Sequence, residues 1–438
     1  MLTNASRREP AGGNPLINPA IGLFIGVTCC AQKNWQEAMT IHAGKVGDAE
    51  APVDRRERAA AMAAAAAAAA DQVDQQARFP AEAYAAARAQ RLLGIQAPIA
   101  VGGEGASVSD VAEICYTLGR SCASTAMIFA MHQIMVTILV RHARDSAYHT
   151  GLLRRLCTEQ MLLASSTTDG QGGGNLRAST CAVETTGDGI ALAKNATVIS
   201  YGAEADGIVT TARRSPDAAA SDQVLVALTR DDYHLEPIMA WNTLGMRGTC
   251  SSGYALKGHG SPDQVLPEPY QQIHSQTMMP VAHLTWSSVW TGVAAGAVDR
   301  AKGFVRKAAR GAAGQQPPGA IHLTRATASL RTLRGIVAAA LAQYEHAVAH
   351  PKVMATMDFQ VSMNLLKVNA SELAIATVMS ALQTCGLGGY RNDGEFSVAR
   401  HVRDVLSTSV MINNDRILAT TANAAMLAEI PASLRDNA

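Results

Sequence analysis

Two glycine-rich segments and a few polar side chains are the parts of this 438-residue chain that could carry chemistry. The first segment reads Thr-Asp-Gly-Gln-Gly-Gly-Gly-Asn over residues 168–175, and a strand-like passage separates it from Val198-Ile199-Ser200. The second reads Cys-Gly-Leu-Gly-Gly-Tyr over residues 385–390. Glycine has no side chain, so the backbone amides of such loops can approach a ligand closely. The candidate groups for proton transfer are His132, on an apolar stretch, and Asp415.

The first segment and the Val-Ile-Ser step resemble the flavin-binding shelf of the acyl-CoA dehydrogenase family. In that family a Thr-Glu-Pro-x-x-Gly-Ser-Asp loop and a Trp-Ile-Thr/Ser step lie under the flavin ring, and both patterns superimpose on this chain without a gap. Asp169 and Asn175 take the places of the family's Glu and Asp. The cofactor contacts that the resemblance implies are Thr168, Gly173, Gly174, Val198 and Ser200.

Three later motifs resemble the same family. Leu-Gly-Met-Arg-Gly-Thr at 244–249 is similar to a family turn at the substrate end of the flavin, which implies that Arg247 and Ser251 border the pocket. Arg310 lies near the place of an arginine that reaches the FAD pyrophosphate of a neighbouring subunit, and a planar guanidinium suits that phosphate. A solvated arginine is the alternative. The family's dinucleotide loop is matched by Gly386, Gly388 and Gly389, so the resemblance implies FAD rather than FMN.

The residues that run ordinary dehydrogenation in the family are replaced. The resemblance places the family's catalytic glutamate at Ile412 and a second position for that base at Trp286. Neither side chain accepts a proton, so both are expected as substrate contacts rather than as a base. Asp415, with Asn413 close by, is the candidate for a relocated catalytic group. The alternative for Asp415 is an ion pair with Arg416 or a helix charge.

His132 is the other catalytic candidate. A branch of the superfamily, the reduced-flavin monooxygenases acting on aromatic and sulfur heterocycles, carries a pocket histidine in a similar place. A histidine there could deliver a proton or orient a substrate oxygen. The alternative is a core histidine with satisfied hydrogen bonds, and His401 is a weaker candidate. Val198 replaces the tryptophan of the family's shelf, which would open room for a bulkier substrate or for oxygen.

The sequence around these residues predicts helices, then β-structure, then helices. Residues 55–78 are rich in alanine, the best helix former, and 108–143 contain two apolar helical stretches. Strands are indicated at 190–192, 197–199, 207–210 and 224–228. Segments 281–312, 320–349, 357–385 and 398–430 fit a four-helix bundle.

The predicted fold is therefore α+β and acyl-CoA dehydrogenase-like. We expect an extension or an early start at 1–50, an N-terminal helical domain at 51–163, a middle β-barrel or sandwich domain at 164–268, and a C-terminal helical bundle at 269–438.

Composition excludes several functions. A net charge of +1 and 4% aromatic residues argue against a nucleic-acid surface. No apolar run is read as reaching the ~20 residues that span a bilayer, which argues against a membrane partner. The eight cysteines lack metal-ligand spacing, so no metal is expected and reduced cysteines in a cytoplasmic protein are predicted.

These observations predict an FAD-dependent oxidoreductase. Its expected substrate is an acyl-CoA or related thioester, oxidised or oxygenated in a non-standard way in specialised metabolism, with O2 or an electron-transfer flavoprotein as acceptor. One alternative is ordinary α,β-dehydrogenation with Asp415 as base. Another is a catalytically silent thioester- or flavin-binding subunit. The resemblance also implies a homotetramer or homodimer formed through the C-terminal bundle.

Overall fold

The computed structural model describes residues 54–143, 146–168, 179–311, 315–317 and 319–428. The predicted extension at 1–50 and most of the first glycine-rich segment, including Gly173 and Gly174, lie outside the described residues.

The N-terminal part is helical. Its helices are α1 (Arg55–Gln76), α2 (Ala81–Ala89), α3 (Val108–Gly119), α4 (Ala123–His142) and α5 (Ala147–Glu159). The side chain of Asp54 caps the start of α1, and Ala77 ends it in the left-handed conformation with φ 50°. The alanines of α1 leave little side chain between backbones, so the buried face of the helix can pack closely on its neighbours.

Helix α4 is the core of this part of the protein. By length and composition it is long and apolar enough to cross a bilayer. The prediction that no apolar segment of the chain reaches the length of a membrane span is therefore wrong. However, 89% of its apolar window is buried inside the protein, which is how the core helix of a globular domain behaves.

The middle part contains two sheets. Its strands are β1 (Leu163–Ser166), β2 (Glu184–Thr186), β3 (Gly189–Ala196), β4 (Gly207–Arg213), β5 (Gln223–Thr229), β6 (Tyr233–Met239) and β7 (Gly253–Gly260). One sheet has the order β1-β4-β5 and the other β2-β3-β7-β6. Strand β1 runs parallel to β4, with Leu163 opposite Gly207, whereas the other ladders are antiparallel.

The C-terminal part is again helical. The short α6 (Tyr270–Ile273) and a π-helical turn (His274–Met278) lead into α7 (Met279–Gly311). The helices that follow are α8 (Ala320–Ala349), α9 (Pro351–Met354), α10 (Met357–Cys385), α11 (Leu387–Tyr390), α12 (Ala399–Val405), α13 (Ser407–Val410) and α14 (Asn414–Leu427). Helix α10 packs against α7, α8 and α14, so the long helices form the predicted bundle.

The predicted order of helical, β and helical parts is confirmed, and two local predictions are wrong. Residues 197–199 do not continue β3, because the backbone N–H of Ile199 donates to the carbonyl of Ser252 instead of to a strand neighbour. The single helix predicted at 398–430 is divided into α12, α13 and α14. Both departures occur at segments that build the candidate site.

Candidate functional site

The described part of the predicted shelf lies where β1 ends. The hydroxyl of Thr168, two residues beyond β1, donates to the carbonyl of Val198 at 3.5 Å. This contact joins the end of β1 to the Val-Ile-Ser step, as the predicted shelf requires. The buried ammonium of Lys194 fixes the same strand end, donating to the Ser166 carbonyl at 2.8 Å and the Thr211 carbonyl at 3.0 Å.

A chain of hydroxyl groups continues the shelf. The Oγ of Ser200 lies 2.8 Å from Oγ of Ser251, which lies 2.8 Å from Oγ1 of Thr249. Thr249 in turn donates to the carbonyl of Met246 at 2.8 Å. Because each hydroxyl has a single proton, the direction of these hydrogen bonds is set from the Met246 end: Ser251 donates to Thr249, and Ser200 donates to Ser251. The chain holds the predicted flavin contact and the predicted substrate contact in one line.

Backbone strain is concentrated at these segments. Tyr201, Met246 and Cys250 all have positive φ, at 43°, 54° and 46°. Left-handed backbone is unfavourable for residues with a side chain beyond glycine, and such residues cluster where the surrounding structure imposes a functional geometry. One of the contacts that hold this backbone conformation is the hydrogen bond from the Tyr201 N–H to the Thr249 carbonyl, at 2.8 Å.

The turn at 244–249 connects the shelf to the C-terminal helices. The backbone N–H of Met246 donates to Oδ1 of Asp404 on α12 at 2.7 Å. Burial raises the pKa of the Asp404 carboxyl to about 6, while nearby Arg400 and the Met246 N–H oppose that rise. Gly245 packs directly against the backbone carbonyl of Arg403, where no side chain would fit. The shelf and α12 therefore form one rigid unit.

The segment after α13 carries Ile412, the residue at which the sequence resemblance places the family's base. Ile412 has φ 46°, which for a β-branched residue is a pronounced departure from allowed backbone. The ammonium of Lys367 on α10 holds this segment in place through hydrogen bonds. It donates to the carbonyls of Thr408 and Ile412 at 2.9 and 2.8 Å and to Oδ1 of Asn414 at 2.7 Å.

Lys367 also brings α7 to this segment. Its ammonium lies 5.7 Å from the centre of the Trp290 ring, and Trp286 precedes Trp290 by one helical turn, on the same face. Three buried polar atoms on this turn have no hydrogen-bond partner among the described residues: Nε1 of Trp286, Oγ of Ser287 and Nε1 of Trp290. Orphaned donors of this kind are costly unless a ligand satisfies them.

These residues fit a flavin. A flavin ring has an apolar body and a polar edge, and the site offers a wall of indole rings beside unpartnered N–H and O–H groups. The Oγ of Ser166, at the end of β1, is also buried without a partner among the described residues. Thr168, Ser166 and the hydroxyl chain would hold the polar edge of the cofactor.

Two family models match the chain on either side of the sheets. "Acyl-CoA dehydrogenase, N-terminal domain" matches residues 53–159, and "Acyl-CoA dehydrogenase, C-terminal domain" matches residues 275–427. The chain belongs to the acyl-CoA dehydrogenase family. It is a flavin-dependent oxidoreductase, as the sequence resemblance predicted. No curated protein matches the chain.

Solved structures of similar fold include proteins solved with bound FMN. FMN-bound TdsC from Paenibacillus sp. A11-2 is 17% identical with a TM-score of 0.74, covering 86% of this chain and 98% of its own. KijD3 in complex with FMN and a dTDP-linked amino sugar is 21% identical with a TM-score of 0.73, covering 89% and 97%. Methanesulfinate monooxygenase MsuC from Pseudomonas fluorescens is 16% identical with a TM-score of 0.73, covering 86% and 98%. At these identities, the likeness establishes the fold.

His132 lies in the core of this family member. It is fully buried, and the backbone N–H of Leu163 donates to its Nδ1 at 3.0 Å. Nε2 must then carry the proton and donate to the Leu93 carbonyl at 2.8 Å. Burial lowers the pKa of His132 to about 4. These contacts favour the alternative of a core histidine that joins α4 to β1.

Asn413 and Asp415 have structural contacts. The side chain of Asn413 accepts from the N–H of Asp415 at 2.8 Å and from that of Arg416 at 3.4 Å, so it is the N-cap of α14. Asp415 is an exposed acid in the first turn of that helix, where a negative charge favours the helix dipole. The geometry thus favours the helix-charge alternative for Asp415.

Arg247 faces the N-terminal helices. Its Nε donates to the Asp74 carbonyl at 2.7 Å and its NH1 to the Thr243 carbonyl at 3.2 Å. A guanidinium that satisfies carbonyls at the last turn of α1 stabilises that helix end. Its predicted contact with substrate stays a prediction, whereas Ser251 lies in the hydroxyl chain.

The predicted dinucleotide contacts lie at the surface of the bundle. Gly386, with φ 53°, ends α10, Gly388 is half-buried on α11, and Gly389 is buried against Cys385 and Val398. Arg310 is exposed in the last turn of α7. Their contacts with FAD stay predictions, and the contact expected of Arg310 is with the cofactor of a neighbouring subunit.

Sequence reasoning missed Lys194, Trp290 and Lys367. Two of the three had a signal: a lone lysine, Lys367, interrupts an apolar stretch at 365–368, and Trp290 follows Trp286 at helical spacing. A charged residue on the apolar face of a predicted helix indicates a buried partner, and here the partners are backbone carbonyls.

Proposed function

We propose that this enzyme uses its flavin to oxidise or oxygenate a small organic substrate without a side-chain carboxylate that removes an α-proton. One observation carries the proposal: Lys367 fixes a strained loop that contains Ile412, where the sequence resemblance predicts the family's base. An aliphatic side chain cannot accept a proton. The flavin, when bound, supplies hydride uptake or the activation of dioxygen.

The residues of the site would act by orienting the cofactor and the substrate and by excluding water. Trp286, Trp290 and Ile412 would provide an apolar wall that keeps water from the reacting atoms. The unpartnered indole N–H groups of the two tryptophans would donate to oxygen atoms of the substrate or the cofactor. Ser200 and Ser251 would orient the polar edge of the flavin through their shared hydrogen bond.

Oxygenation is the favoured branch of this proposal. TdsC is described as a dibenzothiophene monooxygenase and MsuC as a methanesulfinate monooxygenase, and both share this fold. The proposed substrate remains an acyl thioester or a related carbonyl compound, as the family resemblance implies. Dioxygen is the proposed oxidant, and an electron-transfer flavoprotein is the acceptor if the reaction is an oxidation.

The proposed cofactor is FAD, on the strength of Arg310 and the glycines at 386–389. The TdsC and KijD3 complexes contain FMN, so the choice needs a direct measurement. Heat-released flavin from the purified protein, separated by chromatography and weighed by mass spectrometry, decides it. Recovery of FMN alone would overturn the FAD proposal and leave the reaction class untouched.

The proposed assembly is a homodimer or homotetramer formed through the C-terminal bundle. The support is a set of large apolar side chains that are exposed on α11 and α14, namely Leu387, Tyr390, Met426 and Leu427. Light scattering on the purified chain tests this, and a monomer at micromolar concentration would refute it.

The reaction class is tested by spectroscopy of the purified flavoprotein. We expect no bleaching when acyl-CoA thioesters are added without oxygen. After chemical reduction, admission of air should give an absorbance transient whose decay is altered by a substrate thioester. Rapid bleaching by a thioester without oxygen would mean ordinary dehydrogenation and would overturn the proposal.

Restoring a carboxylate provides a sharper test. Ile412→Glu should gain thioester-driven bleaching, because it returns a base to the family's position, whereas Ile412→Gln, of the same length without a base, should not. Asp415→Asn should leave every rate unchanged. Loss of activity in Asp415→Asn alone would favour the relocated base instead.

A further inference from the structure

A second concave site borders the turn at 243–247, next to the Met246 end of the hydroxyl chain. It is a cleft of about 590 Å³ between α1, the turn at 243–247 and the segment at 392–403. Its floor includes His401, which lies against Gly296 on α7. Gly296 is ten residues beyond Trp286, about 15 Å along the helix at 1.5 Å per residue. The cleft is therefore separate from the pocket wall formed by the tryptophans.

The cleft carries an excess of positive charge. We call it the arginine cleft, because four guanidinium groups line it against two carboxylates: Arg247, Arg300, Arg400 and Arg403, with Asp71 and Asp74. The excess is thus two positive charges. Concave surfaces lined by one sign of charge concentrate ligands of the opposite sign.

Two of the arginines belong to the scaffold. Arg247 donates to backbone carbonyls at the end of α1. Arg403 pairs with the carboxylate of Asp74 and donates to Oδ1 of Asn392 at 3.3 Å. These bonds fix the walls of the arginine cleft, and the charges of Arg300 and Arg400 remain to attract a ligand.

Arg300 and Arg400 are poorly neutralised. No carboxylate among the described residues lies within ion-pair distance of Arg300, whose NH1 has only a long contact of 3.4 Å with the Glu395 carbonyl. The Nε of Arg400 meets Asp71 at 3.3 Å, a carboxylate that is 80% exposed, and its NH1 and NH2 groups both donate to the neutral Ser121 carbonyl at 3.3 Å, which leaves most of its charge uncompensated. Burial, and then the charge of Arg400, lower the pKa of Arg300. Two neighbouring cations in a partly buried place are stabilised by an anion between them.

His401 supplies the second observation. It is 4% exposed, and its Nδ1 has no hydrogen-bond partner among the described residues. Burial and the adjacent Arg400 and Arg300 hold the pKa of His401 well below its usual range, so the ring is neutral. A buried ring nitrogen without a partner is costly, which indicates that a group missing from the protein alone completes the site.

We propose that the arginine cleft binds a phosphate or pyrophosphate group, with Arg300 and Arg400 as the main contacts and His401 at its floor. A dianion matches the excess charge, and the fork geometry of guanidinium suits phosphate oxygens. The volume exceeds that of one phosphate, so the group can be a free anion or the phosphate end of a nucleotide. This binding does not depend on the reaction at the flavin.

Calorimetric titration of the full-length protein tests the proposal. Sodium pyrophosphate, orthophosphate and ADP are titrated at fixed ionic strength. Binding of pyrophosphate or ADP is expected. Arg300→Gln and Arg400→Gln should each weaken it by about tenfold or more, as expected for the loss of a charge-assisted contact. Arg306→Gln is the matched control, because Arg306 is exposed on the same helix and does not line the cleft.

The outcomes separate the two sources of phosphate. Tighter binding of ADP than of pyrophosphate supports a nucleotide, and the reverse order supports a free anion. Arg300→Lys, which keeps the charge without the fork, should bind with intermediate affinity if the site is as described. The proposal is overturned if none of the three anions binds at millimolar concentration, or if Arg300→Gln and Arg300→Lys bind as well as the Arg306→Gln control.

Discussion

Replacing Lys367 by methionine removes the ammonium that holds the loop around Ile412 while keeping a side chain of similar length. Lys367 is fully buried, and its three hydrogen-bond donors all have acceptors, the last being Oδ1 of Asn414. Lys367→Met leaves three oxygen atoms without that donor. The variant therefore tests whether the hydrogen bonds of Lys367 hold the strained loop around Ile412 in its conformation.

The size of the effect follows from two opposing contributions. Each acceptor left unsatisfied in a buried place costs about 2 kcal/mol, so the three together cost about 6 kcal/mol. Burial lowers the pKa of Lys367 to about 8 from its usual 10.5. At about 1.4 kcal/mol per pKa unit, removing the buried charge returns about 3 kcal/mol at pH 7. The expected net loss in the free energy of unfolding is about 3 kcal/mol.

The pH dependence has a definite sign. Between pH 8 and 10.5 the unfolded chain keeps the Lys367 proton while the folded chain has lost it. Stability rises with pH wherever the unfolded state binds more protons. The native protein should therefore gain up to about 3 kcal/mol over Lys367→Met between pH 8 and 10.5.

Urea unfolding at pH 7 and pH 9.5, followed by circular dichroism, measures both effects. Lys352→Met is the control, because Lys352 is an exposed lysine on α9, and its change should stay within about 0.5 kcal/mol. Flavin content after purification reports on the site itself and should fall only in Lys367→Met. Equal unfolding midpoints for Lys367→Met and the control, or a difference that shrinks with rising pH, would refute the reasoning.

Three further changes test other parts of the site. His132→Gln should make the free energy of unfolding less dependent on pH below 6.5. The pKa of the buried imidazole is lowered to about 4, so the native protein loses about 1.4 kcal/mol of stability per pH unit as the pH falls from 6.5 toward 4. Urea unfolding at pH 7 and 5 checks this, and an equal loss of stability in variant and native protein would contradict it. Gly245→Ala should lower stability by about 2 kcal/mol or more, since a methyl group there meets the carbonyl of Arg403, and an unchanged melting temperature would disprove that packing. Ser251→Ala should cost about 1 kcal/mol of stability and weaken flavin binding by breaking the link to Ser200, and unchanged flavin affinity would remove Ser251 from the site.

The parts of the fold that sequence reasoning predicted well are those with their own local signals. The predicted helices at 320–349 and 357–385 coincide with α8 and α10. Their ends are marked locally, by Gly319 with φ 84° before α8 and by Gly386 with φ 53° after α10. Long apolar periodicity between such signals is sufficient to define a helix.

The errors occurred where tertiary contacts override local preference. The sequence at 398–430 has helical periodicity. Asn413 marks the start of α14 locally, as its N-cap, but nothing local predicts the break around Ser407. Lys367, about forty residues earlier in the chain, takes the carbonyls of Thr408 and Ile412 that a continuous helix would have used internally. The break is therefore specified by α10 rather than by the segment itself.

The catalytic candidates illustrate a related limit. His132 was singled out by residue type, and in the structure both of its ring nitrogens meet backbone groups. Asn413 and Asp415 were singled out by proximity to the family's base, and one caps α14 while the other is exposed in its first turn. Residue type alone could not distinguish these roles, because they depend on which backbone groups each side chain reaches.

The strained backbone at Ile412 and the buried Lys367 indicate that this segment has a function, although it lacks the base that the family resemblance places there. A segment without a role would relax, since left-handed backbone at Ile412 costs about 1–2 kcal/mol and a buried ammonium costs more. Instead the protein keeps both, and three hydrogen bonds hold the loop in one conformation. A reaction that depends on the exclusion of water requires an aliphatic side chain held in a fixed place, as Ile412 is here. A proton transfer would require a carboxylate at the same point. The geometry at Ile412 therefore favours chemistry at the flavin without α-proton abstraction.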